Sequence, residues 1–336
     1  MSRQHIPLCR YNYSVPQGSI IGPQAFIMYT HPVGDIIRNH DVEFHSYADD
    51  IQLFCEFNPK IPGDRERALG EISSCVSEIH SWMSNNMLQL NQEKTEFLVM
   101  ATPYVISKLP DIKLQLGNVL VRGSANVKNL GVYFDPLMQM STQIGAICKS
   151  VNFHIRNLWR IRKFITQEAC HHAVRALVLS RIDYANSLLY GAKQMDLNRL
   201  QRLQNKAARL VFACGRDQSS SYLLCKLHWL PVKDRIQYKI LLYVFKCVND
   251  LAPSYLTNVL KLYNSHDDMN EGSRRRLRSS ADATRLVVPR SKRKAGDNSF
   301  HVCGPRLWNQ LPVSIREALS VCTFKRLLKN NLFTKY

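Results

Sequence analysis

The sequence predicts an α+β protein with two textures: short antiparallel strands interleaved with helices up to Asp135, then a mainly helical remainder. Three observations carry this. Ile51, Leu53, Cys55 and Phe57 alternate against Gln52 and Glu56, the two-residue period of a half-buried strand. Ile144, Ile147, Val151, Ile155, Leu158 and Ile161 recur every three or four residues, the period of a long amphipathic helix. The charge also changes sign: Asp41–Met100 holds eleven Asp/Glu against four Lys/Arg, and Cys148–Arg216 thirteen Lys/Arg against three Asp/Glu. An acidic segment followed by a basic one suggests separate tasks.

Taken in order, residues 1–13 show no clear period. "SVPQGSIIGPQAFIMY" carries Pro and Gly turn signals, and its apolar run Ala25–Tyr29 should start a helix. Val42–Tyr47 and Ile51–Phe57 read as strands joined by a three-residue turn, with Asp49 and Asp50 at the tip. After the loop "NPKIPGD", Asp64 is placed to cap a helix with Leu69, Ile72, Cys75, Val76, Ile79 and Met83 on one face. Asn85-Asn86 stops it. "MLQLN" and "TEFLVM" read as strands. Asp111–Leu116, Val119–Val121 and Leu130–Phe134 suggest a small sheet turning at Gly117-Asn118. Helices follow over 142–164, 167–181, 196–213 and 233–249. "NEGSRRRLRSSADATR" reads as a flexible basic linker within 271–294, and the chain ends in an amphipathic helix holding Phe324, Leu327, Leu328 and Phe333. The domains expected are a short segment 1–13, a mixed domain 14–135, a basic helical domain 136–250 and a C-terminal extension 251–336.

The 336 residues, 45% of them hydrophobic, suffice for a substantial core. A net charge of +19 exceeds what solubility needs and points to a polyanionic partner. Ten scattered cysteines without C-x-x-C spacing argue against a zinc module or disulfide framework and fit a reducing intracellular setting. No apolar run approaches a membrane span, and no signal peptide follows Met1.

The chemistry centres on "YADD", Tyr47–Asp50. Adjacent carboxylates on a tight turn repel each other and are best kept by a shared cation. Taken alone, Asp-Asp on a hairpin is more often an ordinary polar turn than a catalytic site. Order and spacing add specificity: "SVPQGS", a helix, the hairpin, a second helix, "LQLNQEKTEFLVM" and "NLGVYFD". In this order they resemble the palm of a reverse transcriptase. The resemblance is to LINE-type (non-LTR), jockey-like retrotransposons, in which G-V-P-Q-G-S-x-L-G-P precedes Y-A-D-D. It continues through "LWRIRKFIT", "SRIDYANSLLYG", "RLQRLQNKAARLV" and "GPRLWNQLP", covering nearly everything from Ser14 onward.

The resemblance implies an RNA-directed DNA polymerase using two Mg²⁺ (or Mn²⁺) ions, an RNA template with a DNA primer or RNA–DNA hybrid, and deoxynucleoside triphosphates. Asp49 would be the main metal ligand and Asp50 a helper, with Tyr47 near the primer end and small Ala48 admitting the nucleic-acid backbone. Pro16, Gln17, Gly18 and Ser19 would form the loop lining the template and nucleotide pocket; a Pro-Gly turn is the plain alternative. Lys94 matches a lysine near the leaving pyrophosphate, or is an ordinary exposed lysine. Leu130, Gly131 and Val132 match the strand pair that grips the primer, or are a buried strand. The helices after Asp135 resemble a thumb, which holds a duplex through its phosphates: Arg156, Arg160, Lys163, Arg199, Arg202, Lys206 and Arg209 are the candidates. Trp159 and Trp229 are candidates for base stacking, with core packing the favoured role of each, and His171-His172 are assigned no metal.

A third carboxylate is expected from a strand before the P-Q-G-S loop. Only thirteen residues precede Ser14, and the first acidic residue is Asp35. Ser14 stands where the family usually has Gly. The expectation is a partial polymerase, the C-terminal half of a palm plus thumb, inactive by itself for want of that strand and the fingers. The alternative is a non-catalytic nucleic-acid-binding remnant. The Arg/Lys runs at 274–278 and 290–294 resemble a nuclear signal, and phosphate contact or a solvated linker explains them equally well; the resemblance, which implies reverse transcription at nuclear DNA, tips the expected location to the nucleus.

Overall fold

The computed structural model describes residues 18–91, 94–109, 112–116, 119–262 and 284–334. It is α+β, with two compact units meeting between Val127 and Lys128.

The first unit begins with α1 (Gly22–Arg38), which has Pro near its first position, where a missing N–H costs nothing. β1 (Glu43–Tyr47) and β2 (Asp50–Phe54) form an antiparallel hairpin with Tyr47 opposite Asp50. The loop is therefore Ala48-Asp49, two residues rather than three, and the second strand starts and stops earlier than its apolar alternation suggests. Paired residues share a face, so Phe44, Ile51 and Leu53 face one way and Tyr47, Asp50 and Gln52 the other. The first face packs on a small core of Val33 and Ile37 from α1, Val42 just before β1, and Cys75 and Ile79 from α2 (Asp64–Asn85).

Asp64 does not cap α2. Gly63, at φ +80°, holds the cap position, and the Asp64 carboxylate accepts from Asn58 N (2.6 Å) and Arg67 Nε (2.8 Å). These bonds hold its carboxyl below the usual range, the Asn58 N–H contributing most. "MLQLN" and "TEFLVM" are not strands; only Phe97 makes an isolated bridge, to Gly123. An apolar alternation without a partner strand leaves the backbone irregular. After α3 (Pro103–Lys108), β3 (Lys113–Leu116) pairs antiparallel with β4 (Val119–Arg122). Their expected turn, Gly117-Asn118, lies outside the described residues. β5 (Val127–Asn129) and β6 (Val132–Phe134) form a separate two-stranded ribbon, so the single small sheet expected is two ribbons.

The second unit is helical around forty buried residues among those described. α4 (Ser141–Ile161) packs Ile144, Ile147, Val151, Ile155 and Leu158 inward; Ile161, its last residue, is exposed. A 3₁₀ turn extends it to Phe164. The helix expected over 167–181 is α5 (Gln167–Val174), a π-helical turn (Arg175–Leu179) and α6 (Ser180–Asp183). α7 (Gln194–Phe212), α8 (Ser220–Lys226) and α9 (Val232–Val248) complete the middle. α10 (Ser254–Thr257), α11 (Lys294–Asn298), α12 (Phe300–Asn309), α13 (Val313–Arg316) and α14 (Val321–Phe333) follow. α9, α12 and α14 meet at stacked Phe245 and Phe324 (4.2 Å between centroids), with Trp308 5.9 Å from Phe324. No described helix is long and apolar enough to cross a membrane.

Candidate functional site

The hairpin tip is built by backbone conformation. Ala48 has φ +54°, a left-handed value that a two-residue hairpin loop favours and a Cβ resists. Alanine meets that demand with the smallest side chain that carries a Cβ. Asp49 then sits in the loop and Asp50 opens β2 on the face turned away from the core, beside exposed Tyr47. Both carboxylates are exposed.

Hard carboxylate oxygens open to water suit Mg²⁺, which is commonly held by one or two carboxylates together with waters and substrate phosphates. Among the described residues no group of three His, Cys, Asp or Glu side chains is arranged to hold a metal. Asp49 and Asp50 thus stand as a pair, with no third such side chain grouped with them among the described residues.

Gly18 has φ +91° with open space around it, so the chain turns there in a conformation glycine adopts freely. Ser19 Oγ accepts from Gly22 N at 2.9 Å, which commits this side chain to starting α1. Pro16 and Gln17 lie outside the described residues. Lys94 occupies a short turn anchored by its own N–H on Asn91, and its side chain is exposed without an ion pair to Asp49 or Asp50.

In the second unit, Leu130 (φ +45°) and Gly131 (φ +79°) are the loop of the β5–β6 ribbon, and Val132 is buried at the start of β6. Tyr184 Oη donates to the Leu130 carbonyl at 2.6 Å. The two φ values make this a hairpin turn of the kind that matches strand twist. Asp135 organises the turn leading into α4, its carboxylate accepting from the N–H groups of Leu137, Gln139 and Met140.

The basic candidates divide. Arg156, Arg160 and Lys163 are exposed, and at about 100° per residue they share a stripe with Lys149 and Phe153. Sequence reading passed over Lys149 and Phe153, although Lys149 stands seven residues before Arg156. Trp159 is largely exposed beside this stripe, not in the core, whereas Trp229 is buried. On α7, Arg202 and Lys206 are exposed. Arg199 pairs with buried Asp196 (3.0 Å), and half-buried Arg209 donates to Ser220 Oγ (2.7 Å). Arg162 was also missed. It turns inward and donates to the carbonyls of Ile165, Leu210 and Val211, closing the C-terminal end of α7. The sequence carried the signal, since Arg162 stands four residues after buried Leu158, on the apolar side.

With this geometry in place, the comparisons bear on it. Residues 9–134 match the family model for reverse transcriptase (RNA-dependent DNA polymerase). This stretch contains the hairpin and ends at the last residue of β6. A Drosophila melanogaster protein named probable RNA-directed DNA polymerase from transposon BS is 24% identical over 214 residues, 60% of this chain. The chain matches only 22% of that relative's length. No solved structure matches.

Proposed function

We propose that this chain carries part of the RNA-directed DNA polymerase of a non-LTR, jockey-like retrotransposon, with nucleotidyl transfer centred on Asp49 and Asp50. The observation that carries the reading is the exposed carboxylate pair on a two-residue hairpin, inside the segment that matches the reverse transcriptase family. Divalent Mg²⁺ or Mn²⁺ bound there would activate the primer hydroxyl and offset charge on the transferring phosphorus. The chain's own part is to hold two oxygen donors clear of the core on a stiff turn, with Tyr47 beside them toward the primer. A third carboxylate would be needed to fix two ions.

Primer extension on an RNA template with a DNA primer, in Mg²⁺ and then Mn²⁺, tests this. Incorporation by the wild-type chain that Asp49→Ala abolishes is the expected outcome. No incorporation by the folded chain removes catalysis from this chain and leaves the second reading.

That second reading is a non-catalytic binder of RNA–DNA hybrid, supported by the stripe of Lys149, Arg156 and Arg160 on α4, with exposed Phe153 and with Lys163 in the 3₁₀ turn that follows. Cations spaced along one helix face suit a row of phosphates. Affinity that fails to fall as salt rises contradicts it. A nuclear location goes with either reading and draws support from the basic run Arg290–Lys294; a fluorescent fusion excluded from nuclei would overturn it.

A further inference from the structure

A cavity of about 280 Å³ opens beside α7 in the second unit, and neither the polymerase reading nor the basic stripe on α4 uses it. One wall is a row of side-chain amides, Gln194, Asn198, Gln201 and Asn205, spaced four, three and four residues apart. That spacing puts all four within about a 60° arc of the helix. The rest of the lining is mixed: Leu224, Trp229, Pro231 and Phe333 are apolar, and Ser220, Ser221 and Lys233 are polar.

The amides are set by their hydrogen bonds. Gln201 is fully engaged: its Nε2 donates to Gln204 Oε1 and Asn205 Oδ1, and its Oε1 accepts from Val232 N at 2.8 Å. Gln204 Nε2 donates to the Leu230 carbonyl at 2.8 Å, so the segment carrying Trp229 and Pro231 is clamped to α7. Gln194 donates to Asn198 Oδ1 at 2.9 Å. Asn198 and Asn205 thus have their oxygens occupied, and each keeps its Nδ2 donors without a partner among the described residues. The cavity therefore offers amide donors from α7 beside the apolar side chains of Leu224, Pro231 and Phe333 and the edge of Trp229, whose ring stacks on His171.

This combination selects a flat ligand whose edge carries acceptors. The volume lies just below the roughly 300 Å³ lower bound for drug-sized ligands, which suits a single base. Along α7 the amide row borders Arg202 and Lys206, both exposed, so a donor-lined slot lies next to cations open to solvent.

We propose that this cavity takes one unpaired, carbonyl-bearing nucleobase, with its phosphate toward Arg202 and Lys206 of α7. The proposal rests on the nucleic-acid reading above and needs neither catalysis nor duplex binding. Cys225 lines the cavity with an exposed thiol, and Cys322 is an exposed thiol outside it.

The test is alkylation of the full chain by N-ethylmaleimide, read peptide by peptide, with uridine 5′-monophosphate or ribose 5-phosphate present. Uridine monophosphate at ten times its Kd should slow Cys225 roughly tenfold and leave Cys322 unchanged. Ribose 5-phosphate should protect much less. Asn198→Asp, an exposed change of similar size that replaces a donor with an acceptor, should abolish the protection. Unchanged Cys225 rates, equal protection of both cysteines, or equal protection by the two phosphates would each overturn the proposal. Should Asn198→Asp fail to fold, the wild-type comparison decides alone. Loss of hybrid binding with protection intact would instead sink only the α4 reading.

Discussion

The two units divide the work of folding and of chemistry unevenly. The unit ending at Val127 holds the carboxylate hairpin on a core cluster of five buried residues, and leaves Ile20, Ile21, Ile27 and Met28 exposed around α1. The unit beginning at Lys128 gathers forty buried residues among those described and an aromatic cluster of Phe245, Trp308 and Phe324. A hairpin that offers charged groups to water gains little from its own burial, so it depends on a few side chains of α1 and α2. Cations on helix faces cost the core nothing, because the opposite face supplies the burial.

The largest expected effect breaks this comparison directly. Phe324→Ala should cost about 3–5 kcal/mol and shift the main helical transition, because a fully buried ring stacked on Phe245 is lost. Ile37→Ala, also fully buried, should cost about 2–5 kcal/mol but act on the first unit. Calorimetry on both variants checks this; a single transition moved equally by each would show that the units do not unfold separately.

Alkaline pH sharpens the contrast. Burial pushes Cys75 up to about 11, helped by the charges of Glu78 and Glu71. Burial also pushes Cys303 up to about 11, against the pull of Arg306. From an ordinary value of 9.0, the unfolded chain loses these protons while the native chain keeps them. Stability is therefore fully present below pH 9 and falls as pH rises toward 11, by about 2–3 kcal/mol per thiol. Burial raises Tyr190 and Tyr238 in the second unit as well, so that unit should lose more. Denaturant titrations at pH 8 and pH 11 measure it, and equal stability at both would contradict the burial of these groups.

Arg162→Met comes next. It removes the donors to three carbonyls while keeping much of the stem packing, and should cost roughly 1–3 kcal/mol. Arg160→Met, on the exposed stripe, should leave thermal stability unchanged. It should instead lower the slope of log affinity against log salt for RNA–DNA hybrid by about 0.7–0.9. Reversed outcomes would exchange the structural and binding roles assigned to these two arginines.

Legibility in the sequence tracks element length. α4, α7 and α9 span enough turns for the apolar period to stand out, and their observed ends fall close to those expected. Short apolar segments do not carry that information: "MLQLN" has a strand's alternation and no partner to pair with. The YADD hairpin was readable as a hairpin, but its two-residue loop depends on Ala48 adopting a positive φ, which an alanine does not announce. Arg209 looked like its exposed neighbours because the approach of α8, which supplies Ser220, is a tertiary event. The cavity beside α7 was invisible for the same reason, although its amide spacing lay in plain view.

The smallest predicted effect compares the two hairpin loops. Each opens on a non-glycine residue in the left-handed region, Ala48 at φ +54° and Leu130 at φ +45°. A Cβ there costs roughly 1–2 kcal/mol, and glycine removes that cost while adding about 0.5–1 kcal/mol of unfolded-chain entropy. Ala48→Gly should therefore stabilise the first unit by about 0–1.5 kcal/mol. Leu130→Gly should gain less still, because the Tyr184 hydroxyl already pins the Leu130 carbonyl and the freer chain has that bond to lose. Adding Tyr184→Phe separates the contributions. The single change should cost about 1 kcal/mol in native Leu130 protein, and more in the Leu130→Gly background, where the bond is the main restraint on the loop. Equal costs in the two backgrounds, measured by denaturant unfolding, would mean that the turn is held by strand pairing alone.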